Sequence, residues 1–140
     1  MLDIQRVLNQ DRLLRALIGL NRKAFDELLD SFSPLYEQSR SSQPRQRAVD
    51  GGRKARLLST QEKLFFILFY FKCYPTFDLA GIIFDLHRSQ AHEWMHRLQP
   101  ILEETLGKQL VQNCTNFGFS AGFGDPKHES RKLVVTFLIA

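Results

Sequence analysis

His92-Glu93-Trp94-Met95-His96 matches H-E-x-x-H, a spacing that brings two imidazoles to one face of a helix. In zinc peptidases such a pair holds the metal and the Glu serves as general base. A catalytic zinc needs a third protein ligand. Glu103, Glu104, His128 and Glu129 lie downstream, none at a diagnostic spacing. Ala91, Trp94, Met95 and Leu98 define the core side of this helix. At about 100° per residue, His92 and His96 lie more than about 90° from that side's centre. They are expected to point outward rather than into a walled cleft. No metal and no cofactor is therefore expected, and a zinc peptidase is the lesser alternative.

The outward residues are Arg88, Ser89, Gln90, His92, Glu93, His96 and Arg97. Their chemistry suits the edges of base pairs. Arg can take guanine O6 and N7, Gln can pair with adenine, and Glu can accept from cytosine N4. Arg88, Ser89, Gln90, His92, Glu93 and His96 are the candidate base-facing set. The plainer reading is a generic solvated helix face. No phosphate loop, nucleophile elbow or paired-carboxylate signature is present, and no catalytic residue is assigned.

Such a surface needs a scaffold. Thr76–Leu98 reads as two helices with a tight corner. Phe77, Ala80, Ile83 and Phe84 recur at helical spacing, and Ala91, Trp94, Met95 and Leu98 begin a second stripe. Gly81 sits where the helices must cross closely, and Leu86 plugs the corner. This is the packing pattern of a helix-turn-helix, whose second helix can enter the major groove. Asp85 stands where glycine is usual, because the corner wants positive φ. Asp tolerates that region at some cost.

The 140 residues suffice for one domain with a real core, and the formal net charge is +4. The N-terminus has neither the basic start nor the apolar run of a signal peptide. The longest apolar run, Leu64 to Phe71, falls far short of the roughly 20 residues that span a bilayer. Cys73 and Cys114 show no metal spacing and read as reduced thiols. A cytoplasmic protein is expected, without membrane contact. The charge is uneven. Residues 40–58 carry six basic side chains against Asp50, whereas residues 59–106 carry four basic against six acidic. The positive field is thus expected before the helix-turn-helix, not on it.

Residues 10–20 suggest a short helix, and Asn21 caps another that runs to about Gln38 with a kink at Pro34. Residues 39–58, rich in Ser, Pro, Gly and Arg, read as a linker. It is either a solvated loop or a phosphate-contacting arm, which would gain affinity through counterion release. Arg53, Lys54 and Arg56, with Arg97, are the candidate phosphate contacts. Ser59-Thr60-Gln61-Glu62 is a capping box opening a central helix that stops before Pro75. Part of its apolar 64–71 surface could form a dimer contact. Pro100 is expected to bend or restart the last helix, and Gly107 to stop it. Beyond it, Gly124-Asp125-Pro126 marks a turn and Leu133 to Ala140 could be a strand.

The stretch from Gly51 to Gly107 resembles the N-terminal domain of bacterial insertion-sequence transposases, which carry a helix-turn-helix ahead of a DDE-type nuclease domain. The similarity rests on the Gly-Gly-Arg-Lys lead-in, on Leu58-Ser59 opening a long apolar helix, on Phe77 to Phe84, and on Arg88-Ser89. It spans roughly residues 10–107, helix 22–38 included. Asp85 replaces the family's corner glycine and His87 its usual Ser cap, which weakens the setting of the second helix. Gly124-Asp125-Pro126 does not match the strand that carries the nuclease's first carboxylate.

The expectation is an all-α protein, a small helical bundle containing a helix-turn-helix, with an irregular C-terminal tail. Its divisions are N-terminal helices 1–39, basic linker 40–58, helix-turn-helix domain 59–107, and a frame-shifted or truncated tail 108–140. The resemblance implies binding of double-stranded DNA at an element's terminal repeats by a non-catalytic transposase fragment. The alternative is a regulatory fragment that forms homo-oligomers or pairs with full-length transposase.

Overall fold

The computed structural model describes residues 2–42 and 56–116. Among them are six helices and no strand: α1 (Ile4–Leu8), α2 (Asp11–Ile18), α3 (Arg22–Ser42), α4 (Thr60–Cys73), α5 (Phe77–Phe84) and α6 (Arg88–Asn116). The expected all-α bundle is the fold observed.

Local chemistry sets most helix ends. Asp3 caps α1 by accepting from the Arg6 amide at 3.1 Å. The Asn21 side chain accepts from the Ala24 amide at 2.8 Å and opens α3. The expected capping box opens α4: the Ser59 hydroxyl accepts from the Glu62 amide, and the Glu62 carboxylate accepts from the Ser59 amide, both at 3.1 Å. Each satisfies an amide that would otherwise lack an intrahelical partner. Gly19 and Tyr74 end α2 and α4 in the left-handed region, at φ 80 and φ 49.

α4 is the core of the bundle and packs against α2, α3 and α6. Leu64, Phe65, Phe66, Ile67 and Leu68 are at most 1% exposed, so nearly every face of this helix is covered. Burying each such side chain contributes about 1.5–3 kcal/mol. The Phe84 ring, from α5, meets Phe65, Phe66 and Phe69 edge-on at 6.2, 5.0 and 5.4 Å. This aromatic cluster locks the helix-turn-helix onto α4. It also removes Leu64–Phe69 from any dimer contact, because those side chains are consumed inside the chain.

α1 falls within the expected N-terminal helices and is too short to show a period. Two expected helix ends are corrected. α3 continues to Ser42, into the stretch read as linker. α6 is one continuous helix through Pro100 and does not restart there, and α3 is continuous through Pro34. Both prolines are exposed, so water can serve the carbonyl each leaves without a donor. Gly107 does not stop α6, which continues to Asn116. Among the described residues only Gly19 is a positive-φ glycine. A helical Gly costs only about 1 kcal/mol against Ala, too little to end a helix whose preceding turns bury Leu98, Ile101, Leu102 and Leu106. The turn at Gly124-Asp125-Pro126 and the strand 133–140 lie outside the described residues.

Candidate nucleic-acid interface

The corner between α5 and α6 fixes everything that follows it. Thr76 caps α5 through the Leu79 amide at 3.3 Å. At the far end Asp85 adopts φ 54 and ψ 48, the left-handed conformation expected of it. The Asp85 and Leu86 amides both return to the Gly81 carbonyl, the latter at 2.8 Å. The Leu86 carbonyl lies so near Gly81 that a Cβ there would meet it at 2.6 Å. Glycine is therefore required for close approach, not for its φ. Leu86 is 8% exposed and plugs the corner as expected.

His87 caps α6. Its amide donates to Gln90 Oε1 at 3.1 Å, and its Nδ1 lies 2.8 Å from Ser89 Oγ and 3.4 Å from the Ser89 amide. The Gln90 arm is half of a capping box, while the imidazole accepts from the amide one residue earlier, that of Ser89. The signal for it in the sequence is the Gln three residues on.

Ala91 and Leu98 of α6 are fully buried, with Trp94 and Met95 half-buried beside them. On the opposite side Ser89, His92, Glu93, His96 and Pro100 form one exposed stripe. Over Arg88–Arg97 that stripe runs about 14 Å at 1.5 Å per residue. His92 and His96 face each other with their Nε2 atoms 3.0 Å apart, and the Phe77 ring meets His92 edge-on at 5.0 Å. No group of three or more His, Cys, Asp or Glu among the described residues could hold a metal ion.

The remaining candidates divide by what already engages them. Arg88 lies 3.8 Å from Asp78 of α5, both well exposed. Ser89 and Gln90 take part in the cap, which leaves the Gln90 amide NH2 available outward. The Arg97 guanidinium sits over the Trp94 ring at 5.6 Å. Arg56 is ion-paired with Asp85, so the end of the basic stretch is held at the corner itself. Arg53 and Lys54 lie outside the described residues.

Beneath this surface Lys63 is 7% exposed. Its ammonium donates to the Leu58 carbonyl at 2.8 Å and lies 4.9 Å from the Tyr36 ring and 5.7 Å from the Trp94 ring. Desolvation, and then the Arg40 guanidinium, hold its pKa below the usual lysine value. Periodicity alone could not have found it, because it reads as one more polar residue after the cap.

Residues 55–108 match a family model described as the helix-turn-helix of DDE superfamily endonuclease. No curated protein and no solved structure matches the chain. The segment built from α4, α5 and the adjoining part of α6 is thus similar to the helix-turn-helix of that endonuclease type. No described helix is long and apolar enough to cross a membrane.

Proposed function

We propose that this chain binds double-stranded DNA by laying the exposed face of α6 in the major groove, as the recognition module of a transposase of the DDE type. The observation that carries this reading is the single-sided exposure of α6. Ser89, His92, Glu93 and His96 form a polar stripe on a helix whose other side is fixed by Gly81, Leu86 and the Phe84 cluster. A rigid polar rod with one free side is what base-edge readout requires. The duplex would be the terminal repeats of an insertion element, met in the cytoplasm. Residues 56–116 would recognise DNA and would not cleave it.

Charge divides the labour. Arg88 and Arg56 face acidic partners on the protein, and Arg97 lies on Trp94. Phosphate neutralisation would fall mainly to Arg53 and Lys54. Selection from random duplexes followed by titration on the chosen and scrambled sequences tests the scheme. Neutralising Arg53 and Lys54 should weaken binding to both duplexes, and the salt slope should fall by about 0.9 for each phosphate no longer neutralised. Replacing Gln90 and His92 should instead narrow the gap between the two duplexes. A selection that yields no preferred sequence, or two variants with one phenotype, would defeat the reading.

A further inference from the structure

We propose that His92 and His96 form a two-point binding site for a late first-row divalent ion such as Ni²⁺, Cu²⁺ or Zn²⁺. Neither imidazole is consumed by the core. Both are exposed, and their Nε2 atoms converge at 3.0 Å from adjacent turns of α6. Without an ion the two nitrogens lie within hydrogen-bond distance, and which of them donates depends on the tautomer. An ion bonded at about 2.0–2.1 Å would hold them about 3.3 Å apart in tetrahedral geometry and about 2.9 Å apart in square geometry. The observed separation lies between these values, so loading needs only small ring rotations.

The helix supplies the preorganisation. The helical repeat places positions 92 and 96 one above the other, and the Phe77 edge 5.0 Å away limits the swing of the His92 ring. Imidazole nitrogen suits the later divalent ions, whereas Mg²⁺ and Ca²⁺ prefer oxygen. The remaining coordination positions face solvent. With two protein ligands and open water positions, the site is a reversible binding site and not the closed set of a structural zinc. It also lies in the centre of the stripe assigned to base reading. Resting on that assignment, a bound ion would occupy the groove-facing side of α6 and oppose DNA docking.

Calorimetric titration of the tag-free full chain with NiCl2, and separately with ZnSO4, tests the site. One ion per chain is expected to bind. His92→Asn and His96→Asn should each weaken binding by at least about tenfold, because a single imidazole loses the chelate advantage. The substitutions His87→Ala, His128→Ala, Cys73→Ser and Cys114→Ser should leave it in place. Circular dichroism of the two Asn variants checks that the helices persist. Unaltered binding in either Asn variant, or no binding up to about 1 mM ion, would overturn the site. Duplex titration in saturating Ni²⁺ is a separate arm. Intact ion binding with unchanged DNA affinity would leave the metal site standing and count against the docking face.

Discussion

A Cβ built on Gly81 would stand 2.6 Å from the carbonyl oxygen of Leu86. The atom it meets is backbone, on the far side of the corner, and cannot rotate away. Gly81→Ala should therefore force α5 and α6 apart and cost about 1–3 kcal/mol. Gly107 is the internal control. A Cβ there meets nothing within 4 Å, so Gly107→Ala should stabilise by up to about 1 kcal/mol through helix propensity. Urea denaturation of both variants checks the contrast, and equal effects would show that close approach does not set the corner.

Asp85 holds φ 54 and ψ 48 with its carboxylate on Arg56. Glycine at 85 relieves the Cβ penalty but loses the ion pair, whereas alanine keeps the penalty and loses the pair. Asp85→Gly should be more stable than Asp85→Ala by about 1 kcal/mol. Both partners of the ion pair are half-exposed, so Arg56→Ala should change stability by less than about 1 kcal/mol. Thermal unfolding of the three variants ranks them, and an Arg56→Ala loss larger than that of Asp85→Ala would reverse the assignment.

His87 should behave as a cap. Replacing it with Ala removes the Nδ1 acceptor and should cost about 1 kcal/mol, and Ser should recover most of that. Amide hydrogen exchange at Ser89 and Gln90 reads the effect locally. Protection unchanged in His87→Ala would mean that the Gln90 side chain alone secures the start of α6.

Lys63 gives a pH signature whose sign separates two forces. Desolvation, followed by Arg40, lowers its folded pKa below the usual 10.5. Between the folded value and 10.5 the unfolded chain binds more protons, so stability rises with pH across that window. Relative to Lys63→Met, the wild type should gain stability as pH is raised from neutral towards 10.5. A relative loss would mean that attraction to the Tyr36 and Trp94 rings outweighs the cost of burial.

Period and capping residues sufficed to locate α4, α5 and the start of α6. A capping box and a proline stop for α4, and apolar residues at helical spacing for α5 and α6, are local signals, and local geometry obeyed them. The weaker inferences were those drawn from breakers. Pro34, Pro100 and Gly107 lie inside helices because Phe32, Leu35 and Tyr36 beside the first, and Leu98, Ile101, Leu102 and Leu106 beside the others, are buried, and one lost hydrogen bond or a small propensity cost does not outweigh that burial. The apolar run 64–71 left a dimer contact open because sequence cannot say how many neighbours a helix has, and the fold covers Leu64–Phe69 within the chain.

The candidate site divides in the same way. Outward orientation of His92, Glu93 and His96 follows from 3.6 residues per turn and a known core stripe, so the chain alone determined it. Which cations remain available was decided by tertiary structure. Arg56 and Asp85 are 29 positions apart, and Arg88 meets Asp78 only because α5 and α6 cross at Gly81. Pairings of that kind depend on the angle between helices, which is set by a close backbone approach and an aromatic cluster rather than by any local pattern of residues.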